Sequence, residues 1–246
     1  MTFFQNFLQL LQQMLQFAEN APIPFVDETT LTLQYILIPS ALAILISVPL
    51  GVLVAPRPVA AFLANNLSGA ARAIPTLAFL AAVIPLLGIG FIPTIVGLTL
   101  LGIPPILLNT IAGLRGIDPA IIDAGRGVGM TRWELLRRVR IPLVLPVIAA
   151  GIRISVVQIT ATTTIAALVG GGGYGDYITY GLDLQQVPPL LVGAVPVALL
   201  ALVAEFGLGA VQRALTPAGL RVREESEVTS APVAGSNELK SKPVAA

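Results

Sequence analysis

The sequence predicts an all-α integral membrane protein with five transmembrane helices. Of its 246 residues, 55% are apolar and only 11% are charged, and the mean hydropathy is +0.87, far from what a water-soluble chain carries. The apolar residues fall in five long runs, and at about 20 residues per crossing of a roughly 30 Å hydrocarbon core the chain has room for five or six spans and no second soluble domain. Cysteine and histidine are both absent. That excludes disulfides, thiolate nucleophiles, the commonest metal ligand and the usual near-neutral proton shuttle. No catalytic residue, metal site or nucleic-acid partner is therefore expected.

The first segment, residues 1–24, carries no Lys or Arg, and Gln interrupts its apolar residues, so it does not read as a cleavable signal sequence. Phe4, Phe7, Leu8, Leu11, Met14 and Leu15 follow helical spacing, with Gln5, Gln9, Gln12, Gln16 and Glu19 on the other face. An amphipathic helix lying in the membrane interface is expected, and a helix packed on the bundle would show the same periodicity.

The body of the chain, residues 25–217, holds the spans. Residues 31–54 form the first, preceded by Asp27 and Glu28 and followed by Arg57. Residues 73–89 form the second, which starts beside Arg72, contains Pro75 and Pro85, and ends at Gly88-Ile89-Gly90. Residues 92–114 form the third, with Pro104 and Pro105 near its middle. Proline inside a span frees backbone carbonyls, which neighbouring helices or a cavity must satisfy. The fourth span, 143–169, carries Ser155, Thr160, Thr162, Thr163 and Thr164, hydroxyls suited to hydrogen bonding between helices or to lining a path. A glycine-rich loop, 170–175, is expected to act as a flexible turn leading through Asp176 and Asp183 to the fifth span, 189–208. Residues 218–246 are charged and rich in Ser, Pro and Ala, the composition of a disordered tail.

This arrangement puts all 14 basic residues on one side of the membrane or near its edge, and only acidic residues on the other. The positive-inside rule then sets the N-terminus outside and the tail in the cytoplasm of a multi-pass cell-membrane protein. Two ionisable residues lie deeper: Arg153 in the fourth span and Glu205 in the fifth. An unpaired charge facing lipid costs several kcal/mol, so the two are expected to face the bundle interior and pair, or else to snorkel separately.

The loop 118–142 is expected to fold as two short helices. Asp118 is a natural N-cap and Pro119 a natural first residue, while Gly125, Gly127 and Gly129 loosen the far end. Thr131 and Glu134 make a T-x-x-E capping box that restarts a helix through Trp133, Leu135, Leu136 and Val139, ended by Pro142. Arg126, Arg132, Arg137, Arg138 and Arg140 suit lipid headgroups, and Val128, Met130 and Trp133 suit burial against a partner.

Asp123-Ala124-Gly125, three residues, Gly129, nine residues and Val139-Arg140-Ile141-Pro142 resemble the E-A-A loop of permeases in binding-protein-dependent ABC importers. Asp123, Gly125, Val139 and Ile141 stand where that pattern has Glu, Ala, Ile and Leu. The resemblance implies a type I importer permease core whose cytoplasmic coupling helix docks in a separate ATPase. Asp123, Ala124, Gly125, Gly129, Met130, Thr131 and Pro142 would be the coupling residues. It extends over residues 31–217: Ala73-Ile74-Pro75-Thr76-Leu77-Ala78, the Gly88-Ile89-Gly90 turn and the 166–177 stretch are similar to the osmoprotectant branch. That branch imports glycine betaine, choline, carnitine and related quaternary amines, while amino-acid permeases share the scaffold. The implied partners are a second permease chain, identical or homologous, two ATP-binding-cassette subunits and an extracytoplasmic substrate-binding protein. No cofactor is expected in this chain, since ATP would be bound by the ATPase; the Gly170–Gly173 run lacks the Lys and Ser/Thr of a phosphate loop. A secondary transporter would show repeated halves, and no internal repeat is visible.

Overall fold

The computed structural model describes residues 2–20 and 23–216. The tail 218–246 lies outside the described residues, as do the side chains of Phe4, Phe7, Leu11 and Glu19. Among the described residues the chain is helical throughout, with no strand. The order is α1 (Thr2–Asn20), α2 (Phe25–Val54), α3 (Pro58–Ala73), α4 (Thr76–Leu87), α5 (Phe91–Arg115), α6 (Pro119–Gly127) and α7 (Arg132–Leu135). A π turn (Leu136–Arg140), α8 (Ile141–Thr162), a 3₁₀ segment (Thr163–Val169), α9 (Tyr174–Asp183) and α10 (Val187–Leu215) follow. Among the described residues four continuous helical stretches are long and apolar enough to cross a membrane: α2, α5, Arg132–Val169 and α10. The bent pair α3–α4 makes the fifth.

The second span departs from the single apolar stretch 73–89 that the sequence predicts. Ile74 sits in extended backbone (φ −76°, ψ 120°), because the residue before a proline is kept out of the helical region by the ring that follows it. Helices α3 and α4 therefore meet at 93°. With 12 residues, α4 reaches about 18 Å at 1.5 Å per residue, short of a roughly 30 Å core.

Helices α2, α5 and α8 pack against one another to form the centre of the bundle, and α10 packs on α8 and α9. Tyr35, Leu98, Ile159 and Ala166 are buried at the centre. Close approach depends on small residues, as at Gly102, where an added Cβ would lie 2.8 Å from Ser155 Oγ and 3.0 Å from Ala43 Cβ. Two hydroxyls cross-link the helices beside Pro104 and Pro105: Ser155 Oγ donates to the Gly102 carbonyl at 2.9 Å and Ser47 Oγ to the Ile103 carbonyl at 3.2 Å. Of the hydroxyls expected to reach between helices, Ser155 does so. Thr160, Thr162 and Thr163 instead donate to carbonyls three or four residues back in their own segment, the ordinary short-range partner for a helical threonine.

Helix α1 packs on α10, with Met14, Phe17 and Ala18 against the buried cluster of Tyr174, Tyr177, Val192 and Val197. The glycine-rich segment forms the expected turn: Gly170, Gly172 and Gly173 hold φ of +68°, +76° and +85°, a left-handed conformation that only glycine adopts at low cost, and α9 begins at Tyr174.

Candidate functional site

The 118–142 segment is built from local capping. Asp118 accepts from the Ala120 amide at 2.8 Å, and Pro119 follows at a position where its missing N–H costs nothing. Helix α6 ends in a left-handed cap: the Gly129 amide donates to the Arg126 carbonyl at 2.9 Å and the Met130 amide to the Gly125 carbonyl at 3.2 Å. This pair of bonds requires a left-handed residue between them, and Gly129 supplies it at φ +83°. Gly125 is buried because α7 lies over it; an added Cβ would fall 2.5 Å from Leu135 Cδ1.

Helix α7 starts at the predicted capping box. The Thr131 amide donates to Glu134 Oε2 at 3.0 Å, and the Glu134 amide donates to Thr131 Oγ1 at 3.3 Å. The bonds from the Thr131 amide and hydroxyl hold the Glu134 carboxyl below the usual carboxylate range. The expected stop at Pro142 is corrected. The Ile141 amide donates to the Leu136 carbonyl, five residues back, so a π turn absorbs the proline and the chain continues as α8.

The result is a compact knob, residues 118–135, mounted on the end of a span. Asp123, Ala124, Gly129 and Thr131 are exposed on it, Gly125 is buried, and Met130 is half-buried with its sulfur near Gly125. Pro142 lies apart, in the first turn of α8. Asp123 pairs with Arg126 at 3.2 Å, both largely solvent-exposed, which leaves the carboxylate accessible. Val128 and Trp133 are 75% and 66% exposed, large apolar groups on a polar knob and thus candidates for a partner's surface.

Residues 47–217 match the family of binding-protein-dependent transport system inner membrane components. The chain belongs to that family. Among relatives of this inner membrane component, the glycine betaine/carnitine/choline transport system permease protein OpuCB of Bacillus subtilis is 39% identical over 87% of the chain and 99% of its own length. The carnitine transport permease protein OpuCB of Listeria monocytogenes is 44% identical over 75% of the chain and 84% of its own length. In fold, the inner membrane component resembles a solved inward facing MetNI methionine ABC transporter, with a TM-score of 0.70, 24% identity, and coverage of 78% of this chain and 96% of that one. An amino acid ABC transporter gives 0.67 at 17% identity, covering 81% and 97%.

Two further groups of residues stand outside the knob. Arg153 and Glu205, the expected intramembrane pair, approach to 3.0 Å and remain about one-third exposed and two-fifths exposed. Arg153 also donates to Gln212 Oε1 at 3.3 Å. At the far end of the bundle, the first turns of α2 grip the glycine turn. Glu28 accepts from the Gly173 amide, Tyr35 donates to the Gly171 carbonyl, and Thr32 Oγ1 accepts from the Tyr174 amide at 2.9 Å. Sequence reasoning took Glu28 only as a flanking charge. The one available signal was a carboxylate on the same helical face as Thr32 and Tyr35, at the start of an apolar run.

Proposed function

We propose that this chain is the permease subunit of an ABC importer for quaternary amine osmoprotectants such as glycine betaine, choline or carnitine. The observation that carries the reading is the match of 75–87% of the chain to permeases named for those solutes. The N-terminus lies outside and the tail in the cytoplasm, an orientation supported by the one-sided distribution of basic residues. Two permease chains form the path between them, and an extracytoplasmic binding protein delivers the solute.

Two ATPase subunits dock on the two knobs. The exposed Asp123, Val128 and Trp133 on a preordered, doubly capped knob support this, since a docking element that is already folded loses little entropy on binding. When ATP draws the ATPases together, each knob moves with its ATPase, and the continuous helix Arg132–Val169 carries the motion into the bundle as a rigid element.

The test is uptake of labelled glycine betaine and choline into vesicles that hold this chain with its ATPase and binding protein. Uptake that requires ATP and is competed by quaternary amines is the expected result. ATP-driven uptake of an amino acid instead would discard the substrate and keep the permease, and uptake without ATP would discard both.

A further inference from the structure

Behind the knob, where α2 and α5 end, lies a cavity of about 430 Å³ lined by groups from four elements. Its polar wall holds three guanidiniums, Arg115 from the end of α5, Arg126 from α6 and Arg140 from the π turn, and one carboxylate, Asp123. Asp123 is engaged by Arg126 at 3.2 Å. Among the described residues Arg115 and Arg140 have no carboxylate in ion-pair reach. Arg140 Nε is buried with no hydrogen-bond partner, so no protein group engages that edge of its guanidinium. The opposite wall is apolar, with Val52 and Leu114 from the ends of the spans.

We propose that this cavity binds a phosphate-bearing anion, held by the guanidinium groups of Arg115 and Arg140 that line it. Guanidinium groups match phosphate oxygens in planar, paired hydrogen bonds, and basic pockets between spans on the cytoplasmic side suit lipid headgroups. The phosphodiester of an anionic lipid and a soluble phosphate carry the same chemistry. The inference rests on the membrane orientation given above, not on the transported solute. Because the π turn puts Arg140 on the cavity wall and continues directly into α8, the bound anion would brace the root of the knob.

The test is native mass spectrometry of the chain in complex with its ATPase, titrated with phosphatidylglycerol, phosphatidylcholine or inorganic phosphate; it reads binding alone, so it stands whether or not uptake of quaternary amines is observed. The expected result is binding of phosphatidylglycerol or phosphate that weakens roughly 10- to 30-fold in R115Q/R140Q. R137Q/R138Q removes the same charge from residues outside the cavity and should bind as the parent does, and R115K/R140K, which keeps the charge but loses the paired guanidinium donors, should bind more weakly than the parent and more tightly than R115Q/R140Q. Phosphatidylglycerol that inorganic phosphate does not displace identifies a lipid headgroup; displacement identifies a soluble anion. Equal weakening in both Gln variants, equal binding of zwitterionic phosphatidylcholine, binding in R115K/R140K no tighter than in R115Q/R140Q, or binding that vanishes when the ATPase joins would each overturn the proposal.

Discussion

Arg153 on α8 and Glu205 on α10 close an ion pair at 3.0 Å between two spans. Both residues lie within spans, and removing one partner leaves a charge in the membrane without its counter-charge, at a cost of several kcal/mol. R153E and E205R alone should each lower uptake and thermal stability, and R153E/E205R should recover most of both. Losses that simply add in the double variant, measured by melting in detergent and by vesicle uptake, would rule out a pairing role.

Gly129 is needed for its backbone and not for its size. Its φ is +83° and no heavy atom lies within 4 Å of an added Cβ. Asn tolerates the left-handed region better than Ala, and Val tolerates it least. Coupling of ATPase activity to uptake should therefore fall in the order Gly, Asn, Ala, Val. If G129N proves worse than G129A, side-chain bulk against the ATPase is the constraint instead.

The capping box predicts a pH dependence. Hydrogen bonds from Thr131 hold the Glu134 carboxyl below its ordinary value, so the box contributes fully above the unfolded value and is lost as pH falls through the depressed one. The protection of α7 amides against exchange, relative to the intrinsic rate at each pH, should be steady near neutrality and fall only in acid. T131A should lower it roughly five- to tenfold at pH 7. A box that weakens on going from neutral to alkaline pH would contradict the assignment.

Glu28 accepts from the buried Gly173 amide. Truncation leaves that N–H unpaired, at a cost of about 1–3 kcal/mol, so E28A should lower the melting temperature clearly. E28Q, which keeps a carbonyl oxygen to accept the bond, should lower it less. Equal losses in the two variants would point to the charge rather than the hydrogen bond.

What the sequence revealed was local. Asp118, Pro119, Gly129, Thr131 and Glu134 act within a few residues of themselves, so the knob could be drawn from spacing alone. The apolar runs marked α2, α5, α8 and α10 for the same reason. Pro142 was misread because a proline ends a helix only if the hydrogen-bond ladder keeps its α register, and the π turn that changes this register leaves no sequence mark. Ile74-Pro75 did carry a break signal, but the apolar residues on both sides masked it. Helix α9 and the grip of Glu28, Thr32 and Tyr35 on the glycine turn depend on partners some 140 residues away in the chain, a distance across which spacing carries no information.

The π turn between Leu136 and Arg140 holds one more residue than an α turn would, and each residue of an α-helix turns the next by about 100°. The turn thereby sets the azimuth of α8 against the knob, fixing which side chains face α5 and α10 when the knob is seated. A one-residue deletion between Thr131 and Ile141 would swing Ser155 away from α5 and Arg153 away from Glu205 together. Chain length in this short stretch is thus an angular setting for the whole span, and it is constrained independently of which amino acids fill it.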